Sequence, residues 1–336
     1  MIAWQITSKN EITKTNVTEN LENVDDVKVK ITKCFVTRQD ISTYKNFTSK
    51  NSPIIPGQVA VGLITENLVD SNYFKKNTKV YIAPEKPCKT CSSCLSGNED
   101  ECRNVQYSAI NYNGYLKDFA VVSKDEIFLL PPNVSEFDAL FIYDISIALS
   151  IIDKLHVEKG EHVAIIGGTL FANILAQVVA YYQAVPIIID DNEENLKLAK
   201  KCGVYYVSNS QKVENDIISI TGGRKCRKIV YVTESNISFD VIETICAKGA
   251  EVGVCGSFGS KSKLNIDIGL FSNLTIKFIT SGYGNFASSI NLLTQKAVNL
   301  VEFNIPEYKF DYINKQFEKF STHSTDESQE FIVNLM

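Results

Sequence analysis

Four cysteines stand within fifteen residues of one another in the stretch PCKTCSSCLSGNEDEC, at C-x2-C-x2-C-x7-C spacing. Two-residue gaps let a short loop fold back on itself, so that four thiolates close a tetrahedron around one Zn²⁺. The metal itself keeps the sulfurs deprotonated. The alternatives are two disulfides or coincidence. Disulfides would require an oxidising compartment, and adjacent two-residue gaps make strained bridges. Cys88, Cys91, Cys94 and Cys102 are therefore assigned to one structural zinc per chain. An all-cysteine site is closed, with no position open for a substrate, so this metal folds a loop and does not catalyse.

The other five cysteines (Cys34, Cys202, Cys226, Cys246 and Cys255) are scattered. The opening MIAWQITSKN lacks a basic region followed by an apolar one, so no secretory signal is expected. Dispersed cysteines without a signal point to a reducing compartment, the cytoplasm. The net charge is −5, from 39 acidic and 34 basic residues, and no basic tract occurs. Non-specific nucleic-acid binding is excluded on that ground. The uncharged run from Val163 to Ile189 contains Gly167, Gly168, Asn173, Gln177, Gln183 and Pro186. It divides into strand, turn, helix and strand, which is a buried βαβ unit and not a membrane span.

At 336 residues the chain accommodates two domains. Residues 1–145 read as short strands separated by turns (VKVKITKCFV, VAVGLITENLV, TKVYIAP, YLKDFAVVS), the pattern of a barrel-like β domain. Over 146–281 apolar strands alternate with helices: HVAIIG before LFANILAQVVAYYQ, VPIIID before ENLKLAKKCG, KIVYVT before VIETICAK, and then AEVGVCGSF. Such alternation builds a doubly wound parallel sheet with helices on both faces, an α/β fold. The tail holds helices near Ser288–Asn299 and Asp311–Phe320 and a final strand, FIVNLM. There is no internal repeat and no low-complexity linker.

In GEHVAIIGGTLFANILAQ, Gly167 and Gly168 fall where a strand turns into a helix, the place where helix-terminal N–H groups meet a pyrophosphate. Asp190 ends the next strand, where a carboxylate accepts both ribose hydroxyls and favours NAD over NADP. In G-x-G-x-x-G register the turn reads Gly167-Gly168-Thr169-Leu170-Phe171-Ala172. Thr169 replaces the glycine that lets the backbone approach the phosphates, and its β-branched side chain adds bulk and stiffness. Gly167, Gly168, Thr169, Leu170 and Asp190 are the candidate cofactor residues. A dinucleotide-type domain that no longer holds its cofactor is the competing reading of this turn.

The cysteine lobe, ITKCFVTRQDISTYKN, SPIIPGQVAVGLI, NGYLKDFAVV, GEHVAIIGG and ENLKLAKKCG together resemble the medium-chain dehydrogenase/reductase superfamily, most closely its zinc-type alcohol dehydrogenase branch. The resemblance spans nearly the whole chain. It implies a GroES-like substrate domain over 1–145, completed by 282–336, and a Rossmann-like domain over 146–281. It also implies a small-molecule substrate meeting the nicotinamide between domains, and a homo-oligomer, dimer or tetramer. In that branch a catalytic zinc is held by a Cys just before a [ST]-D pair, a His in G-H-E, and a Cys, Asp or Glu near the domain junction. Position by position these fall on Thr37, on Gln58 (with Val59 for the following Glu), and on Tyr143 beside Asp144. The three histidines are His156, His162 and His323, so the whole β domain lacks imidazole. Hydroxyl, carboxamide and phenol are weak neutral zinc ligands, and a catalytic zinc is not expected.

Without that Lewis acid three readings remain. The first is a zinc-independent NAD(H) oxidoreductase acting on a small carbonyl, enone or alcohol, in which the cofactor carries the hydride and the protein supplies position. Gln39, Asp40 and Tyr44 sit in the stretch that lines the family's cleft, and Tyr44 is the candidate proton donor. Packing of Tyr44 and turn-capping by Asp40 are the alternatives. The second reading is a non-catalytic pseudoenzyme, a ligand- or partner-binding protein keeping only the structural zinc. The third, a zinc dehydrogenase with rearranged ligands, is opposed by the histidine count.

Overall fold

The structure is a computed structural model that describes residues 1–48, 52–69, 73–256, 272–322 and 330–336. His323 lies outside the described residues. The chain divides into two compact units, Met1–Tyr143 with Asn304–Met336, and Asp144–Phe303.

The first unit opens with the hairpin β1 (Ile2–Ser8) and β2 (Glu11–Asn16), then β3 (Asp26–Val36), α1 (Arg38–Asn46), β4 (Val59–Asn67), β5 (Lys79–Ile82) and β6 (Glu85–Lys86). It continues through α2 (Ser92–Leu95), β7 (Gln106–Tyr107), β8 (Phe119–Ser123), β9 (Ile127–Leu129) and α3 (Glu136–Ala139). α4 (Ile142–Lys154) starts at the end of the first unit and continues into the second, which carries β10 (His162–Ile166), α5 (Leu170–Tyr181), β11 (Val185–Ile189), α6 (Glu193–Lys201), β12 (Tyr206–Ser208) and α7 (Val213–Thr221). It goes on with β13 (Cys226–Val232), α8 (Val241–Ile245), β14 (Cys246–Cys255), β15 (Thr275–Phe278) and α9 (Phe286–Thr294). The chain then returns to the first unit with β16 (Glu307–Lys309), α10 (Ile313–Thr322) and β17 (Phe331–Asn334).

In the first unit a sheet ordered β16-β17-β3-β4-β5-β9, with β8 also on β3, is antiparallel apart from the β16–β17 pair. Alternation along β3 sends Val27, Val29 and Ile31 into one core with Ile6, Ile41, Val80 and Ile127. The C-terminal strand lies against β3, with Phe331 opposite Val36. Phe331 stacks on Phe320 of α10 at 5.2 Å, so α10 and β17 pack together on this core.

The second unit is a six-stranded parallel sheet in the order β12-β11-β10-β13-β14-β15. Val163 to Ile166 are all buried, as expected of a strand covered on both faces. Strand order reverses between β10 and β13. In such sheets this switch point, at the carboxyl ends of the strands, is where ligands bind.

The domain boundary near the C-terminus differs from the sequence expectation. Residues 282–303 belong to the second unit and not to the first. Asn285 bonds Ser150 of α4 at 3.0 Å, and the Gln177 carboxamide of α5 takes both the N–H and the carbonyl of Asn299. α9 buries Phe286, Ile290, Leu292 and Leu293, an apolar stripe that the periodicity alone could not assign to either core.

Candidate functional site

The four lobe cysteines converge, with their sulfurs all within 4.8 Å of one another. Lys89 at φ 60° turns the chain between Cys88 and Cys91, and Cys91 opens the short helix α2. Cys91 and Cys94 sulfurs are 3.5 Å apart, Cys91 and Cys102 sulfurs 3.9 Å. The N–H groups of Cys91 and Cys102's neighbour across the loop, Cys88, point at sulfur: Cys91 N–H to Cys88 at 3.4 Å and Cys88 N–H to Cys102 at 3.2 Å. Donors from Thr90 and Cys91 hold the Cys88 thiol down to about 5, whereas burial pushes Cys94 up to about 12. A cation among these sulfurs would deprotonate all four. Four thiolates at this separation suit Zn²⁺. No second cluster of three or more His, Cys, Asp or Glu ligand atoms occurs among the described residues.

Gly167 follows β10 with φ 107°, and a side chain there would meet Ser235 at 3.1 Å, after β13. Gly168 is packed so tightly that a Cβ would lie 2.7 Å from that of Asn195. Its N–H donates to Asp190 Oδ2, and Asn192 N–H donates to Oδ1 at 2.7 Å. Each carboxylate oxygen keeps a further lone pair. Thr169 has φ −63° and ψ 171°, a backbone that does not demand glycine, and it caps α5 by accepting Ala172 N–H at 3.2 Å. Asn173, fully buried within α5, donates to the carbonyls of Gly168 and Thr169 and was missed in the sequence; a polar side chain inside the apolar run LFANILAQVV was the signal available. The N–H groups of Leu170 and Phe171, the first two of α5, have no protein partner among the described residues, as helix N-termini provide. These two donors and Asp190 fit a diphosphate and a ribose.

Thr37 Oγ1 lies 3.2 Å from both Asp40 Oδ2 and Gln58 Oε1. Asp40 is buried at the third turn position of α1 and accepts Thr37 N–H and Gly57 N–H, each at 2.8 Å. Burial raises its carboxyl to about 6 against those bonds. Cys34 packs beside Gly57, where a Cβ would collide with its sulfur. The Tyr143 hydroxyl donates to the buried Glu85 carboxylate at 3.4 Å, a partner for which the sequence offered no signal.

Tyr44 is corrected from proton donor to packing residue. It is 1% exposed, its hydroxyl donates to Asn10 O at 2.7 Å, and its ring meets Phe317 of α10 at 5.3 Å. Burial raises its hydroxyl above the usual tyrosine value, the wrong direction for a proton donor.

A β unit carrying a four-cysteine lobe, joined to a dinucleotide-type parallel sheet, defines the two-part architecture of zinc-binding dehydrogenases. An alcohol dehydrogenase GroES-like domain matches residues 23–132 and a zinc-binding dehydrogenase domain matches residues 172–295. The chain belongs to the medium-chain dehydrogenase/reductase superfamily, in its zinc-type alcohol dehydrogenase branch. It is 22% identical over 304 residues, 89% of each chain, to an uncharacterized zinc-type alcohol dehydrogenase-like protein of Haemophilus influenzae. It is 26% identical to the sorbitol dehydrogenase of Bacillus subtilis over 210 residues, 60% of either chain. Among solved structures, galactitol-1-phosphate dehydrogenase from Escherichia coli superposes with a TM-score of 0.86 over the whole of both chains at 18% identity. An E. coli CFT073 alcohol dehydrogenase complexed with NADH gives 0.84 over 100% of this chain and 99% of its own, at 17% identity. Among the described residues no helix is long and apolar enough to cross a membrane.

Proposed function

We propose that this chain is an oxidoreductase moving hydride between NAD(H) and a small carbonyl, enone or alcohol, with zinc confined to the four-cysteine lobe. The observation that carries the reading is the hydrogen bonding at the positions matching the branch's catalytic ligands. Thr37 and Gln58 bond each other, Thr37 bonds Asp40, and Tyr143 bonds Glu85. Neutral oxygens already engaged in this way compete poorly for Zn²⁺. NAD(H), when bound, gives or takes the hydride. Leu170 and Phe171 N–H would receive the diphosphate, and Asp190, followed by Asp191, Asn192, Glu193 and Glu194 with no cation among them to meet a 2′-phosphate, supports NAD over NADP.

The nine unpaired cysteines support a reducing, cytoplasmic setting. A homo-oligomer is proposed from the family resemblance. The non-catalytic alternative draws on Thr169, a β-branched residue at a glycine position of the turn. Titration with NADH and NADPH, followed by cofactor fluorescence, separates the two readings: saturable binding with NADH preferred is expected, and no binding at millimolar cofactor would overturn the oxidoreductase. Elemental analysis is expected to give close to one zinc per chain, and a value near two would overturn the ligand assignment.

A further inference from the structure

A threonine hydroxyl has one proton to give, yet Thr37 Oγ1 faces two oxygens at 3.2 Å, Asp40 Oδ2 and Gln58 Oε1. Both contacts cannot be donated by Thr37 at once. The carboxamide of Gln58 has nearly the same shape with its ends exchanged, so the surrounding hydrogen bonds decide which end faces Thr37. Gln58 is half-buried, and its Nε2 has no protein partner among the described residues.

We propose that Asp40, acting through the Thr37 hydroxyl, sets whether Gln58 presents its amide nitrogen or its carbonyl oxygen to a ligand at the position matching the branch's catalytic metal. With Asp40 protonated on Oδ2, its O–H donates to Thr37 Oγ1 and the Thr37 proton goes to Gln58 Oε1. The free end of Gln58 is then Nε2, a donor suited to a carbonyl oxygen. With Asp40 ionised, the carboxylate claims the Thr37 proton, because a bond to a charged acceptor is about twice as strong as a neutral one. Thr37 Oγ1 is left as an acceptor, Nε2 turns to meet it, and Oε1 becomes the free end, an acceptor suited to an alcohol hydroxyl. One proton on Asp40 thereby converts a carbonyl-binding surface into an alcohol-binding one.

Burial places Asp40 at about 6, so both forms are populated near neutrality. Cys34 of β3 is the titratable group facing Asp40, and burial with the nearby carboxylate raises its thiol, which therefore stays neutral through this range. No cation pairs with Asp40 among the described residues. Gly57 N–H and Thr37 N–H hold the carboxyl in place in either form.

The identity of the ligand rests on the oxidoreductase reading, whereas the relay does not, and the test is accordingly run on cofactor-free, zinc-loaded full-length protein. Side-chain amide signals of ¹⁵N-glutamine-labelled protein are followed from about pH 4.5 to about pH 8, with Gln58→Leu identifying the Gln58 signal. The expected result is one sigmoidal shift of that signal with a midpoint near 6, retained in Thr37→Ser and lost in Thr37→Val. A flat Gln58 signal in the wild type, or a step surviving in Thr37→Val, overturns the relay. Failure of NADH to bind would remove the oxidoreductase reading and leave this result untouched.

Discussion

At Thr169 one side chain carries two opposing effects. Its hydroxyl accepts Ala172 N–H at 3.2 Å and so satisfies one of the free donors of the α5 N-terminus. Its methyl stands where a glycine would leave the backbone bare to a diphosphate. Glycine is nearly as good a cap, so Thr169→Gly should cost only about a few tenths of a kcal/mol. Removing the methyl should meanwhile tighten NADH severalfold. Fluorescence titration beside a thermal melt checks both, and weaker NADH binding with an unchanged melt would mean that the hydroxyl itself serves the cofactor.

At the scale of the element, the cysteine loop has little regular structure of its own, since α2 is a single turn and β6 and β7 are two-residue strands, so the zinc proposed for it would contribute most of its order. Cys91 sits at the centre, within reach of both Cys94 and Cys102 sulfurs. Cys91→Ser should drop zinc content towards zero and raise protease sensitivity between residues 88 and 102, measured by elemental analysis and limited proteolysis. A full zinc complement in the variant would contradict the four-sulfur site. This loop was legible in the sequence because its geometry is local: two-residue gaps determine which sulfurs can meet. The parallel sheet was legible for a related reason, as Val163 to Ile166 must be buried on both faces. Tyr44 was not, because its neighbour Phe317 lies far along the chain and no local pattern announces it. The end of α8 was misplaced likewise: the helix stops at Ile245, and Cys246 instead pairs with Cys226 across the sheet. Thr37 and Gln58 were visible as departures from a pattern, but their bond to each other and to Asp40 depends on a loop and a helix brought together by the core.

For the whole molecule, the two units hold buried or partly buried carboxyls shifted in opposite directions. Asp40 in the first unit is raised from 3.8 to about 6 by burial. Its folded form favours the neutral acid, so its contribution is complete below about pH 4 and is lost as pH rises through 6. The shift corresponds to a cost on the order of 3 kcal/mol at neutral pH. Glu251 in the second unit is lowered from 4.5 to about 2 by bonds from Lys228 and Lys277, each at 2.7 Å across β13, β14 and β15. Its contribution is complete above about pH 4.5 and is lost as pH falls towards 2. Calorimetric melts across pH should therefore show one slope that falls from pH 4 to 6 and vanishes in Asp40→Asn. A second slope, falling below pH 4.5, should vanish in Glu251→Gln. Each variant alters its own limb because the two carboxyls belong to different cores and share no partner, so additivity is expected of the double variant. If Asp40→Asn left the limb between pH 4 and 6 unchanged, the buried carboxyl would be ionised throughout, and the exchange of donors at Gln58 would have no proton to drive it.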